Sequence, residues 1–275
     1  MPARSVSKSI AHARLARLTH ARQDVSHLRR DGDPALVRTF GLIVGRGSIA
    51  PPHVEGWAQL VTARRGRAFV RTGHALFPLV GECGVTVPAG LAYSIESAGQ
   101  TEIRTIYLRR SGFAPNGPAL VETTPLLREL IGRTIELGAL DGRIAAHRRL
   151  AAVVYDEVDG LRERNLLIPL PAAGVARSAV EALLVEAAGG LGPAGAARIC
   201  GVSRRTLERA FARDAGIGLA LWLRRIRLIQ ALYALHEGSS VTGAALAAGY
   251  SGPSAFIAAF RRQFGTTPRA SFKAR

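Results

Sequence analysis

The last hundred or so residues carry one local pattern twice, and this repetition constrains the chain more than any other feature of it. The first passage is an apolar helical stretch, Ala194–Cys200, then Gly201, Val202 and Ser203, then RRTLERAFARD. The second is Val241–Ala248, then Gly249, Tyr250 and Ser251, then GPSAFIAAFRRQFG. Each glycine suits the tight turn that ends one helix, and Ser203 is a good N-cap for the next. Pro253 sits where a first helical turn tolerates a missing N–H. Leu207 with Phe211 forms an i, i+4 apolar pair, and Phe256, Phe260 and Phe264 line one side of the last helix. These residues, with Trp222, are read as core and not as stacking platforms for single strands.

One such passage is a common helical hairpin, but two in tandem form a pair of helix-turn-helix units. They are joined by an arginine-bearing helical run from about Leu219 to His236, some 18 residues or roughly 27 Å of α-helix. That length approaches the ~34 Å between successive major-groove faces on one side of B-DNA.

Charge supports the same reading. The chain has 37 basic and 20 acidic residues for a net +17, and all the basic residues except Lys8 and Lys273 are arginine, the fork-shaped donor that suits phosphates and guanine edges. From Ser178 onward thirteen basic residues face five acidic ones, a local balance of +8. A surplus of this kind also fits a membrane surface or an arginine-rich genome, so its position beside the tandem motifs is what carries the argument.

From ICGVSRRTLERAFARDAGIG through LWLRRIRLIQALYAL to AALAAGYSGPSAFIAAFRRQFGTTPRASF the chain resembles the DNA-binding region of the AraC/XylS family of bacterial transcription regulators. The resemblance implies base readers early in both recognition helices. By position these are Arg205, Glu208 and Arg209 in the first and Pro253, Ser254, Ile257 and Ala258 in the second, with Arg204 and Arg261 as further DNA contacts. Ala258 stands where the family often has a polar or basic reader, so only Ser254 offers the second head a hydrogen bond. The implied partners are promoter DNA, a small-molecule effector, RNA polymerase and a second copy of the chain.

The N-terminal half has another texture. From about Phe40 to Leu108 it runs in short β-rich stretches, FGLIVG, WAQLVT, AFVRT, VTVPAG and EIRTIYL, punctuated by glycine and proline as in a small antiparallel barrel or sandwich. The spacing of Gly47, His53, Glu55, Gln59 and Gly66 resembles the first cupin motif, and Pro88-Ala89-Gly90 echoes the second, with Tyr93 at its histidine position. One imidazole, one carboxylate, one amide and one phenol are a poor set of ligands for a divalent transition metal. The expectation is therefore a cupin-like shape without metal or cofactor. His53, Trp57, Gln59 and Tyr93 are candidates to line an effector pocket of aromatic walls and a few polar groups; taken singly, each fits ordinary barrel packing or surface better than a pocket.

The fold expected is α+β, in four segments. Residues 1–35 form a basic tail, 36–110 a cupin-like sensing or dimerisation barrel, 111–175 a helical dimerisation segment, and 176–275 the double helix-turn-helix. Leu126, Leu127, Leu130, Ile131 and Ile135, then Leu150, Val153, Val154, Val158 and Leu161, mark the two helices of the third segment. Cys83 and Cys200 have neither metal-type nor redox-type spacing, no signal-peptide-length apolar run opens the chain, and no stretch is long enough to span a bilayer. A bacterial cytoplasmic location follows as an expectation. The reading is of a binding protein without catalysis. Its rivals are a cupin-type metal-dependent enzyme with a helical appendage and an effector-independent architectural DNA-binding protein.

Overall fold

The structure is a computed structural model that describes residues 34–51, 56–109, 111–185, 192–265 and 267–268. The basic tail expected over 1–35 lies, up to residue 33, outside the described residues, as do His53 and Glu55. The chain divides into two units, one holding the described residues to Val70 together with Pro78–Asn165, the other Arg71–Phe77 with Leu166 onward. Strands are followed by helices, an α+β order.

The first unit is built on a seven-stranded antiparallel sheet. Its strands are β1 (Ala35–Val44), β3 (Trp57–Arg65), β6 (Cys83–Val87), β8 (Thr101–Arg109), β9 (Ala119–Glu122), β10 (Ala139–Asp141) and β11 (Arg162–Glu163), in the order β10-β1-β8-β3-β6-β9-β11. The register pairs Val37 with Leu108 and Leu60 with Ile106, which puts these four residues on one face. That face is covered by two helices, α1 (Pro125–Leu137) and α2 (Ala145–Asp159), through Leu127, Ile131, Ala151, Val154 and Val158. Thr124 caps α1 by accepting from Leu127 N–H at 3.0 Å, and Thr39 Oγ1 on β1 donates to the Gly138 carbonyl at its far end, 3.0 Å away. The Tyr155 hydroxyl on α2 donates to Leu36 O at 2.8 Å and accepts from Arg109 N at 3.0 Å, fixing α2 to two adjacent strands. Leu126, Ile144 and Val153 are left exposed on the outer side of this helical layer.

Residues on the other face of the sheet, among them Gln59, Val61 and Tyr107, are also buried, and a second sheet includes β4 (Ala68–Arg71), β7 (Ser94–Ser97) and β2 (Gly47–Ile49), hydrogen-bonded in that order. Gly66 turns the chain between β3 and β4 at φ +91°, and a Cβ there would lie 2.5 Å from the Gln100 carbonyl oxygen, so both conformation and space require glycine. Alternation in the sequence located the longer strands. It gave no sign of β5 (Ala75–Leu79), whose five residues ALFPL are all buried and hence do not alternate, and whose Pro78 argues against a strand.

The second unit is mainly helical: α3 (Gly174–Val185), α4 (Pro193–Ile199), α5 (Arg204–Asp214), α6 (Leu219–His236), α7 (Val241–Ala247) and α8 (Pro253–Phe264). Its centre is α6, which buries Trp222, Ile226, Leu228, Ile229 and Leu232; the Trp222 ring meets Phe211 of α5 edge-on with centroids 5.8 Å apart. The unit also has a short β ladder, in which Ile168 and Pro169 of β12 (Ile168–Pro169) pair with Leu76 and Ala75. Arg71 adds a bidentate bond to Glu181 of α3, at 2.6 and 3.1 Å, and Arg177 donates to the same carboxylate at 3.0 Å.

Candidate nucleic-acid interface

Both tandem motifs have the same backbone closure. At the end of α4 the Val202 N–H donates to Ala197 O at 3.0 Å and the Gly201 N–H to Arg198 O at 3.1 Å. At the end of α7 the Tyr250 N–H donates to Ala245 O at 3.0 Å and the Gly249 N–H to Leu246 O at 2.9 Å. These are paired 6→1 and 5→2 bonds around a left-handed residue, at φ +64° for Gly201 and +77° for Gly249. The turn then hands the chain to α5 or α8.

Helix α5 opens on Ser203, whose Oγ accepts from Thr206 N–H at 3.1 Å. Leu207, Ala210 and Phe211 are buried, so Arg204, Arg205 and Arg209 are exposed and Glu208 is half-buried beside them. Arg204 Nε donates to Glu208 Oε1 at 2.8 Å, an i, i+4 pair lying along the exposed face. Helix α8 buries Phe256 and Phe260, and an edge-to-face series runs from Tyr250 through Phe256 and Phe260 to Phe264 at 5.7, 5.6 and 4.4 Å. That leaves Ser254, Ala258 and Arg261 exposed, with Pro253 and Ile257 half-buried. Neither helix has an acidic residue in its first turn, so the positive end of each helix dipole is unopposed.

Sequence reasoning missed a third feature. Arg224 and Arg227 of α6 and Arg262 of α8 stand around Tyr250, whose hydroxyl is occluded and has no hydrogen-bond partner among the described residues. Burial raises the phenol's pKa and the three guanidinium groups oppose that rise. The only signal in the sequence was the cluster of arginines on the linking helix.

In the first unit, Gln59 and Tyr93 are brought together: the Tyr93 hydroxyl donates to Gln59 Oε1 at 2.6 Å, with both residues buried. Burial pushes the Tyr93 phenol well above its ordinary range, and neighbouring Tyr107 adds to the effect. Trp57 precedes Gln59 by two on the same face of β3 and lies between two arginines, with the guanidinium carbons of Arg38 and Arg109 at 5.6 and 5.2 Å from its ring. Strand pairing brings this group together, because Arg38 lies opposite Tyr107, Tyr107 opposite Gln59, and Arg109 opposite Trp57. Nothing local in the sequence marked either arginine, since their approach to Trp57 depends on strand register.

Two tandem helix-turn-helix units with exposed arginines on the leading recognition helix define a DNA-binding protein. Residues 196–274 match the family model described as a helix-turn-helix domain. Among curated proteins, the HTH-type transcriptional regulator NimR of Escherichia coli K12 is 27% identical over 222 residues, 80% of this chain and 81% of NimR. The HTH-type transcriptional activator RhaS of Escherichia fergusonii is 38% identical over 69 residues, a quarter of each chain. Among solved structures, an AraC-type DNA-binding domain protein from Chromobacterium violaceum is 29% identical, covering 36% of this chain and 88% of that one at a TM-score of 0.34. Residues 196–274 are a helix-turn-helix domain, and the chain is a DNA-binding transcription regulator. Among the described residues, no helix is long and apolar enough to cross a membrane.

Proposed function

We propose that the chain controls transcription by binding promoter DNA in a sequence-specific manner under the control of a small molecule. Segment 176–275 binds the DNA, with Arg205, Glu208 and Arg209 reading bases from α5 and Arg204 adding a backbone contact. Pro253, Ser254, Ile257, Ala258 and Arg261 form the contact face of α8. The observation that carries this reading is the outward row of Arg205 and Arg209 on a helix that follows a Schellman-closed turn. A guanidinium there is suited to the O6 and N7 edge of guanine, and the Glu208 carboxylate to cytosine N4.

The effector site in this reading is the polar group in segment 36–110, where Trp57, Gln59 and Tyr93 combine one aromatic wall with a small number of fixed hydrogen-bonding groups. His53 belongs to the same proposal. Segment 111–175 supplies the contact between two copies, since Leu126, Ile144 and Val153 are exposed on its outer side. The protein acts in the bacterial cytoplasm on promoters used by RNA polymerase, without metal, cofactor or catalysis.

Genome-wide mapping of bound DNA, followed by measurement of binding to the recovered sites, tests this reading. The expected result is a small set of promoter sites sharing one sequence. Even coverage without a shared sequence would favour the architectural alternative.

A further inference from the structure

The two recognition helices present different chemistry on their outer faces. On α5 that face is Arg204, Arg205, Glu208 and Arg209, each able to bond a base edge or a phosphate. On α8 it is Ser254, Ile257 and Ala258 at i, i+3 and i+4, continued by Arg261 at i+7. Between Pro253 and Ala259 no side chain is able to form a bidentate pair of hydrogen bonds, and the Ser254 hydroxyl is the one polar side-chain group. Phe256 and Phe260 are fully turned into the core and offer no alternative surface.

A helix of this composition meets few features it is able to read. The edges that base pairs show in the major groove are donors and acceptors, with one apolar exception, the C5 methyl of thymine. We propose that α8 selects its half of the binding site through thymine methyl groups, which close against Ile257 and Ala258. The proposal rests on the reading of α8 as a DNA-contacting helix given above and specifies what that helix recognises. Ile257 is half-buried and supplies an apolar floor, and Ala258 is exposed and small, so the helix backbone approaches the groove closely. A shallow, open hollow of about 730 Å³ lies along this face, lined by Ser254, Ile257, Ala258, Arg261, Arg262 and Thr267. Its apolar part faces the methyl groups, and its two guanidinium groups suit the flanking phosphates. The two heads thus divide the work, with α5 reading polar edges and α8 reading methyl groups.

The test uses the full chain. Binding sequences are first selected from a random duplex pool, and the best duplex is resynthesised with deoxyuridine in place of thymidine, one position at a time. Arg209→Ala identifies the half contacted by α5, because it alters base preference only there. In the other half, loss of a methyl at one or two positions is expected to weaken binding about three- to fivefold each, the effect of one methyl group removed from water. Ile257→Ala, shown to be folded by circular dichroism, should abolish most of that difference. At the same positions 5-methylcytosine should bind more tightly than cytosine. If the chain selects a sequence but binds uracil and thymine duplexes equally throughout that half, the proposal is overturned while DNA contact by α8 stands. Ala258→Asp separates the two, since a carboxylate facing the groove should weaken binding at least tenfold. Unchanged binding by that variant would remove α8 from the interface altogether and overturn the reading on which the proposal rests.

Discussion

The indole N–H of Trp222 in the first turn of α6 donates to the backbone carbonyl of Pro169 at 2.9 Å. This bond fastens the helix between the two heads to the β12 segment, well before the first motif begins. Pro169 in turn pairs with Ala75 in the ladder, and Leu170 N–H donates to His74 O at 2.7 Å. The structural unit that carries the DNA-binding helices therefore includes residues that the motif grammar does not mark. Trp222→Phe keeps most of the packing against Phe211 but removes the donor, leaving a carbonyl without its partner. The expected loss is about 1–3 kcal/mol in urea unfolding. A fragment of residues 176–275 should melt below one of residues 166–275, since the shorter one lacks Pro169; equal melting temperatures would show that the bond adds nothing.

Arg205 and Arg209 differ from Ser254 in how much discrimination each is able to supply. A bidentate guanidinium contact contributes about 1–3 kcal/mol against the wrong base, so Arg205→Ala and Arg209→Ala should each weaken the preferred site by that amount and relax preference at one or two base pairs. Ser254→Ala removes a single hydroxyl and should cost less. Binding isotherms on the preferred site and on single-base variants measure both. Equal, base-specific losses for Ser254 and Arg209 would reverse the division between the two heads.

The pattern of helix, glycine and capped helix was legible because each sign in it has a local cause. Gly201 and Gly249 need a left-handed backbone, Ser203 caps through its own hydroxyl, and Phe256 with Phe260 keeps helical period. Helix α6 likewise spans Leu219–His236, the run read from the sequence. What escaped depends on residues far apart. The bond from Tyr93 to Gln59 joins positions 34 apart, and the placing of Trp57 between Arg38 and Arg109 depends on strand register, which no local pattern specifies. Arg71 escaped for a similar reason: its partner Glu181 is 110 residues away.

Cys83, at the start of β6, shows how packing overrides an ordinary side-chain property. Burial pushes its thiol from 9.0 up to about 12, against a smaller opposing effect from Arg164. Near pH 8 the folded thiol is then ionised to a much smaller extent than a free one, which slows alkylation. Iodoacetamide should modify Cys83 many times more slowly in the folded chain than in urea, as read by mass spectrometry. The linkage has a definite sign. Between pH 9 and 12 the unfolded thiol loses its proton while the folded one keeps it, so this residue's contribution to stability is full below pH 9 and falls as pH rises to 12. Cys83→Ala should make the decline in that window less steep and leave the profile below it unchanged in slope.

Tyr250 and Arg227 provide a test of how the second head holds the DNA backbone. The Tyr250 hydroxyl is occluded, lacks a hydrogen-bond partner among the described residues, and stands among Arg224, Arg227 and Arg262. In the free protein an occluded hydroxyl of this kind contributes nothing to stability, so Tyr250→Phe should leave the melting temperature unchanged or raise it slightly. If the three guanidinium groups swing onto a DNA phosphate and so uncover the hydroxyl, it donates a hydrogen bond to that phosphate, and the same variant should then bind every DNA sequence more weakly by severalfold. Arg227→Ala removes a charge and not a base contact. It should lower affinity uniformly and reduce the slope of log affinity against log salt by about one, because each neutralised phosphate releases about 0.9 of a counterion from B-DNA. Fluorescence anisotropy over a range of salt concentrations gives both quantities. A Tyr250→Phe chain with unaltered DNA affinity, beside an Arg227→Ala chain with a reduced salt slope, would assign the phosphate to the arginines alone. An unaltered slope in Arg227→Ala would remove this cluster from the interface.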